Sequence, residues 1–170
     1  MEARARGLDD RYWEHVSPRY TGSLRELSVQ MWVPMDVVLA HYAAMDKLAL
    51  PRDEVVQIGR AVGDRFQKGF LGHLVRTLRA AGTFQPTSLL TRLDRVVARA
   101  VDGGAVAAWK VGLKDALIEH RAMPLARYDY VRAGWEGMYQ AGMELVVKRV
   151  FVREQPQPSD DSAKYLVSWV

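Results

Sequence analysis

The residues best suited to proton transfer or metal ligation are His15, His41, His73 and His120. No two of them stand at a metal-ligand spacing, and the His-Glu-x-x-His pattern of a helical zinc site does not occur. The chain has no cysteine, which removes disulfides, thiolate metal sites and a cysteine nucleophile. Serine catalysis needs an elbow such as Gly-x-Ser-x-Gly, which is absent; Ser23 and Ser88 read instead as helix caps. A phosphate loop, Gly-x-x-x-x-Gly-Lys-Ser/Thr, is also absent. The nearest glycine cluster, Gly59, Gly63, Gly69 and Gly72, falls inside an amphipathic helical pattern whose amides are engaged in the helical ladder. Each glycine costs about 1 kcal/mol against alanine there, so close approach to another backbone, or a kink near Gly69 to Gly72, is expected. The acid pairs Asp9-Asp10, Asp53-Glu54 and Asp160-Asp161 sit at helix starts or in loops, where the helix dipole or plain solvation accounts for them. No catalytic residue, metal site or cofactor is read from these patterns, and the chain is expected not to be an enzyme.

Aromatic residues concentrate in the second half: Trp109, Tyr128, Tyr130, Trp135, Tyr139, Tyr165 and Trp169. Some must fill a core. The others would line a cleft between sheet and last helix, or cover a partner interface, where Trp and Tyr are enriched. Trp109, Tyr128, Trp135, Tyr139 and Trp169 are the candidate ligand- or partner-binding residues. Arg92, Arg95 and Arg99 recur at spacings that place them on one helix face. They suit a solvated face, or an acid- or phosphate-binding stripe.

These side chains must be positioned by a chain of 170 residues, enough for one domain over 1–170 with its own core. Hydrophobic residues at 49 % and charged residues at 26 % predict a folded chain. The net charge of +4 is spread, with Lys and Arg interleaved among Asp and Glu, which argues against a nucleic-acid face. The start of the chain shows no apolar signal segment and no run approaches the length of a membrane span, so a cytoplasmic location without membrane insertion is expected.

The elements are read from period and punctuation. Residues 1–7 are a flexible lead-in. Pro18 and Gly22 break the next stretch, and Ser23-Leu24-Arg25-Glu26 forms a capping box that opens a helix from Leu24 to Met31. Helices follow over Met35–Asp46, Pro51–Ala81 and Leu89–Val101, the last capped by Thr87 or Ser88. Near Gly103 the period switches to alternation. A hairpin over Ala105–Val111 and Ala116–His120 is followed by a helix over Leu125–Ala141, opened by Pro124 and stopped by Gly142. Strands over Glu144–Arg153 and Lys164–Val170 complete the chain, joined by a proline-broken, mobile loop at 155–163. The predicted class is α+β: N-terminal helices followed by a β-β-α-β-β unit forming a four-stranded antiparallel sheet.

Trp32-Val33-Pro34, Gly59-x-x-x-Gly63, Gly103-Gly104 before a strand, Met123-Pro124-Leu125, Gly134-Trp135-Glu136-Gly137 and Tyr165-x-Val167-x-Trp169 resemble a paralogous family abundant in myxobacteria. More distantly, the layout resembles the ligand-binding fold of haem–nitric-oxide sensors, TRAPP vesicle-tethering subunits and vinyl-4-reductase-type sensor domains. That resemblance implies a hydrophobic pocket or groove between helices and sheet, and a tendency to dimerise. Under it, His41 or His73 would be the candidate haem ligand. The Tyr-x-Ser-x-Arg motif with which haem sensors hold propionates is absent, since Tyr20 to Arg25 is out of register by one residue. The cysteine cluster of the vinyl-4-reductase-type domains is absent too.

The resulting expectation is a non-enzymatic binding or signalling module that engages a protein partner and self-associates as a homodimer. The alternative is a sensor that binds a small hydrophobic ligand or haem between sheet and helices. Nucleic-acid binding through Arg92, Arg95 and Arg99 ranks third.

Overall fold

The computed structural model describes residues 8–27, 32–68, 85–99 and 101–170. Its elements are α1 (Asp9–His15), α2 (Pro18–Arg25), α3 (Met35–Lys47), α4 (Arg52–Lys68), α5 (Pro86–Leu90), α6 (Leu93–Val97), β1 (Ala105–Lys110), β2 (Asp115–Arg121), a 3₁₀ turn (Pro124–Arg127), α7 (Asp129–Glu144), β3 (Val150–Gln155) and β4 (Ala163–Trp169). The strands form one antiparallel sheet in the order β1-β2-β4-β3. The predicted α+β class and the β-β-α-β-β unit are thus observed.

Strand alternation decides which side chains meet the helices. Val106, Ile118, Tyr165, Val167 and Val152 are buried on the inner face, under Val131 and Met143 of α7 and Leu90 of α5. A second cluster, Tyr12, Val16, Leu24, Val37, Met45 and Leu48, joins α1, α2 and α3. Burying side chains of this size contributes roughly 1.5–3 kcal/mol each.

Between these two clusters α4 and α7 touch backbone to backbone. A Cβ on Gly59 would lie 2.0 Å from the Gly134 carbonyl oxygen, and one on Gly137 would lie 2.0 Å from the Val56 oxygen. Gly63 faces Ala141 in the same way, with 2.7 Å to its Cβ. The expected close approach of the glycine-rich helix is therefore found at Gly59 and Gly63, while Gly69 and Gly72 lie outside the described residues. Arg–Glu pairs clip the crossing at both ends. Arg52 reaches Glu136 at 2.6 Å and Glu154 at 2.8 Å, and Arg60 forks onto Glu144 at 2.7 and 3.1 Å.

Several expected boundaries move. Pro18 opens α2 rather than breaking it, because its fixed φ suits a first helical position. Ser23 then lies inside that helix and Glu26 at its end, donating its amide to the Gly22 carbonyl, so no capping box forms. The helix expected over Leu89–Val101 is two short ones, the first opened by Pro86 rather than by Thr87 or Ser88. Pro124 opens the 3₁₀ turn, and the extended Tyr128 separates it from α7, which runs through Gly142 to Glu144. That extension shortens the strand expected over Glu144–Arg153 to Val150–Gln155. Val147 is buried from a turn instead, since an apolar run satisfies either state. In the loop expected to be mobile, the Met123 amide donates to the Asp161 oxygen at 2.8 Å, and Ser162 is buried.

Gly137→Ala is expected to cost about 3 kcal/mol or more in urea denaturation, because the helices must separate to admit the methyl group. Gly22→Ala, at an exposed position of α2 with nothing near its Cβ, is expected to stabilise by about 0.5–1 kcal/mol.

Candidate functional site

The inner face of β2 carries Ala116, Ile118 and His120 in alternation, all buried. His120 therefore enters the helix–sheet interior by the same period that buries its aliphatic neighbours. Its ring stacks flat on Trp135 of α7, with centroids 4.2 Å apart and planes within 5°. Its Nε2 shares a 2.5 Å hydrogen bond with the Tyr139 hydroxyl one turn further along α7. Tyr165 of β4 meets both His120 and Tyr139 edge-on, and its hydroxyl donates to the Arg132 carbonyl at 2.9 Å. His120 Nδ1 is buried and has no hydrogen-bond partner.

Burial sets the protonation states. It holds His120 down to about 4 and raises Tyr139 and Tyr165. A neutral imidazole has one donor and one acceptor nitrogen. Whichever tautomer the Tyr139 hydroxyl selects, Nδ1 remains an unmatched polar atom inside the domain. The second described cluster centres on His41 of α3, whose Nδ1 shares a 2.7 Å hydrogen bond with the Tyr12 hydroxyl. Burial likewise brings His41 down to about 4.

Of the five aromatic residues singled out in the sequence, Trp135 and Tyr139 meet at His120. Trp169 is buried in the same core and Tyr128 packs half-buried against it. Trp109 is set apart: its register partner is Leu117, on the opposite face of the sheet, and it is exposed. His73 lies outside the described residues. Sequence reasoning passed over His120, although its place in the alternation Ala116-x-Ile118-x-His120 marks it as an inward histidine. Arg92, Arg95 and Arg99 are exposed, spread over α6 and the turns around it.

A cleft of about 460 Å³ opens where the end of α3 and the starts of α4 and α7 converge. Met45, Leu50, Val55 and Ala133 supply apolar walls, and Asp46, Arg52, Asp129 and Tyr130 the polar rim. Asp46 Oδ1 accepts from the Tyr130 amide at 2.8 Å. It thereby caps α7, whose own N-cap residue, Tyr128, makes no side-chain cap. The cleft thus rests on the same contact that holds α3 to α7.

No family model matches the chain, and no curated protein matches it. Solved structures do. An Fe(II) unliganded H-NOX protein from K. algicida superposes with a TM-score of 0.69 at 9 % identity, covering 99 % of this chain and 90 % of that one. An oxygen-binding H-NOX domain related to soluble guanylate cyclases superposes with a TM-score of 0.57 at 15 % identity, covering 98 % and 88 %. The chain has the H-NOX fold. The likeness to haem–nitric-oxide sensors expected from the sequence therefore holds for the architecture.

That fold implies haem, and neither the His120 interior nor the described cleft fits a histidine-ligated haem. A histidine-ligated haem needs an imidazole nitrogen facing an open slot. His120 has one face on Trp135, its Nε2 on Tyr139, Tyr165 on its edge and its Nδ1 buried, and the His41 ring is in contact with the rings of Tyr12 and Tyr42. The described cleft contains no histidine. Among the described residues no three His, Asp or Glu side chains converge as a metal site. No helix among them is long and apolar enough to cross a membrane.

The two low histidine pKa values make stability pH-dependent. The unfolded chain protonates these residues near 6.5, the folded chain near 4. Stability is therefore full above about pH 6.5 and falls as the pH drops toward 4, by up to about 1.4 kcal/mol per unit for each histidine. Denaturation curves across this range are expected to show the slope. His120→Phe, which keeps an aromatic ring against Trp135, is expected to remove its own share; an unchanged slope would mean that His120 titrates normally.

Proposed function

We propose that the chain is a non-catalytic sensor domain on the H-NOX fold that takes a small, mainly apolar ligand other than haem. The observation carrying this reading is the contrast between its two interior regions. The helix–sheet interior is filled by His120, Trp135, Tyr139 and Tyr165, whereas the cleft among α3, α4 and α7 offers a concave apolar wall. Its volume falls within the range of small-molecule sites, roughly 300–1,000 Å³. Its polar rim is already engaged: Asp46 with the Tyr130 amide, Arg52 with Glu136 and Glu154, and Asp129 with Arg132. Recognition would therefore rest on apolar contact, chiefly with the half-buried Leu50, over a floor formed by Met45, Val55 and Ala133.

The cleft also has a route outward. A ligand between α3 and α7 acts on the Asp46 cap, and α7 carries Arg132, Trp135 and Tyr139 to the sheet. Displacement of α7 is thereby felt at β3 through Arg132–Glu154 and at β2 through the Trp135–His120 stack. A protein partner would read the sheet or the end of α7. The neighbours described as haem and oxygen proteins support the sensor class, while the packing of His41 and His120 against aromatic rings and the missing Tyr-x-Ser-x-Arg motif support a ligand without iron.

Haemin titration followed by absorption, together with native mass spectrometry and thermal-shift screening of apolar ligands, tests the reading. No Soret band saturating at one equivalent is expected. Ligand-induced thermal shifts are expected to disappear in Leu50→Trp, which fills the cleft from a half-buried position. A saturable one-to-one haem complex would restore the haem sensor. Shifts that survive Leu50→Trp would remove the cleft from the reading.

A further inference from the structure

The alternation that buries one face of the sheet leaves the other apolar and uncovered at one end. Trp109, Leu117 and Leu166 align across three neighbouring strands on the outer face. Phe151 follows on β3, opposite Ser168, and is 52 % exposed. Where β1 turns into β2, Val111 and Leu113 project outward, Leu113 at 90 % exposure. Main-chain hydrogen bonds make this end continuous. The Trp169 amide donates to the Lys114 carbonyl, and the Val170 amide to the Arg149 carbonyl. The hairpin tip, the end of β4 and the turn before β3 therefore form one surface.

Its charge is predominantly positive. Lys110, Lys114, Lys148, Arg149 and Arg153 are all exposed on these segments. The acid among them, Asp115, accepts a 2.6 Å hydrogen bond from the Ser168 hydroxyl. Protruding apolar side chains ringed by cations match an anionic lipid surface, with the cations at the headgroups and the apolar groups at the acyl boundary. A second copy of the chain is disfavoured, because a two-fold interface would set these cations against one another. Leu113 projects from a tip rather than lining a groove, so it suits a deformable layer better than a rigid protein face.

We propose that this end of the sheet is a peripheral docking surface for anionic membranes, with Leu113, Val111 and Phe151 entering the boundary and Lys114 and Arg149 at the headgroups. This rests on the sheet alone and is independent of any ligand in the cleft.

Co-sedimentation of the full chain with vesicles of phosphatidylglycerol and phosphatidylcholine, against phosphatidylcholine alone, tests it. Binding is expected to the anionic vesicles only, and to weaken as salt rises from about 0.1 to about 0.5 M. Leu113→Ser and, separately, the pair Lys114→Glu with Arg149→Glu are each expected to weaken binding about tenfold or more, a difference of about 1.4 kcal/mol. Because Leu113 is exposed, its variant should melt with the parent, which separates loss of binding from loss of fold. The proposal is overturned by absent binding, by equal binding to neutral vesicles, or by undiminished binding of Leu113→Ser. Self-association abolished by Leu113→Ser would overturn it in favour of a second copy.

Discussion

The direct contact between the backbones of α4 and α7 is the constraint on which the other features depend. With carbonyl oxygens where a Cβ would stand at Gly59 and Gly137, the two helices have a single permitted distance and register. That register brings Arg52 to Glu136 and Glu154, and Arg60 to Glu144. These partly exposed pairs contribute little stability individually. Their geometry is informative nonetheless: the same α7 that is clipped to α4 is laid on the sheet, with Arg132 reaching Glu154 of β3. Moving α7 by the width of a methyl group would disturb the helical cluster and the sheet core together.

The interior beneath α7 differs from a simple hydrocarbon core. His120, Tyr139 and Tyr165 place polar atoms where desolvation is costly, and the two hydroxyls and His120 Nε2 find partners while His120 Nδ1 does not. The stack on Trp135 and the close Tyr139 hydroxyl hold the imidazole neutral and covered. In a fold shared with haem proteins this matters, because a histidine covered in this way presents no nitrogen to an open slot. Likeness of architecture and likeness of ligand are separable here, since the fold depends on periodicity and packing while the ligand depends on a few side chains.

Much of the architecture was legible along the chain. The switch from helical to alternating period near Gly103 announced the sheet, and the spacing of Gly59 and Gly63 announced a close backbone neighbour. Boundaries were less legible where one residue type serves two purposes. Pro18 and Pro124 suit a break or a first turn equally. The run from Leu145 to Val152 suits a strand throughout, yet its first half is the C-cap of α7 and a turn that buries Val147. Trp135 and Tyr139 were recognisable as an aromatic stripe, but their partner His120 lies on another element, and its role follows from which face of β2 turns inward.

The sequence by itself determined the helical and strand periods, the absence of thiol chemistry, the lack of a recognisable nucleophile or phosphate loop, and the glycines that let two helices touch. Those are local properties, carried by residue type and spacing. Tertiary structure decided which helix meets those glycines, that Asp46 caps α7, that His120 is sealed by Trp135 and Tyr139, and that Trp109 faces away from them. Each of these depends on the pairing register β1-β2-β4-β3 and on the packing of α7 against α4. Both arise from contacts between residues far apart in the chain, which no local pattern encodes.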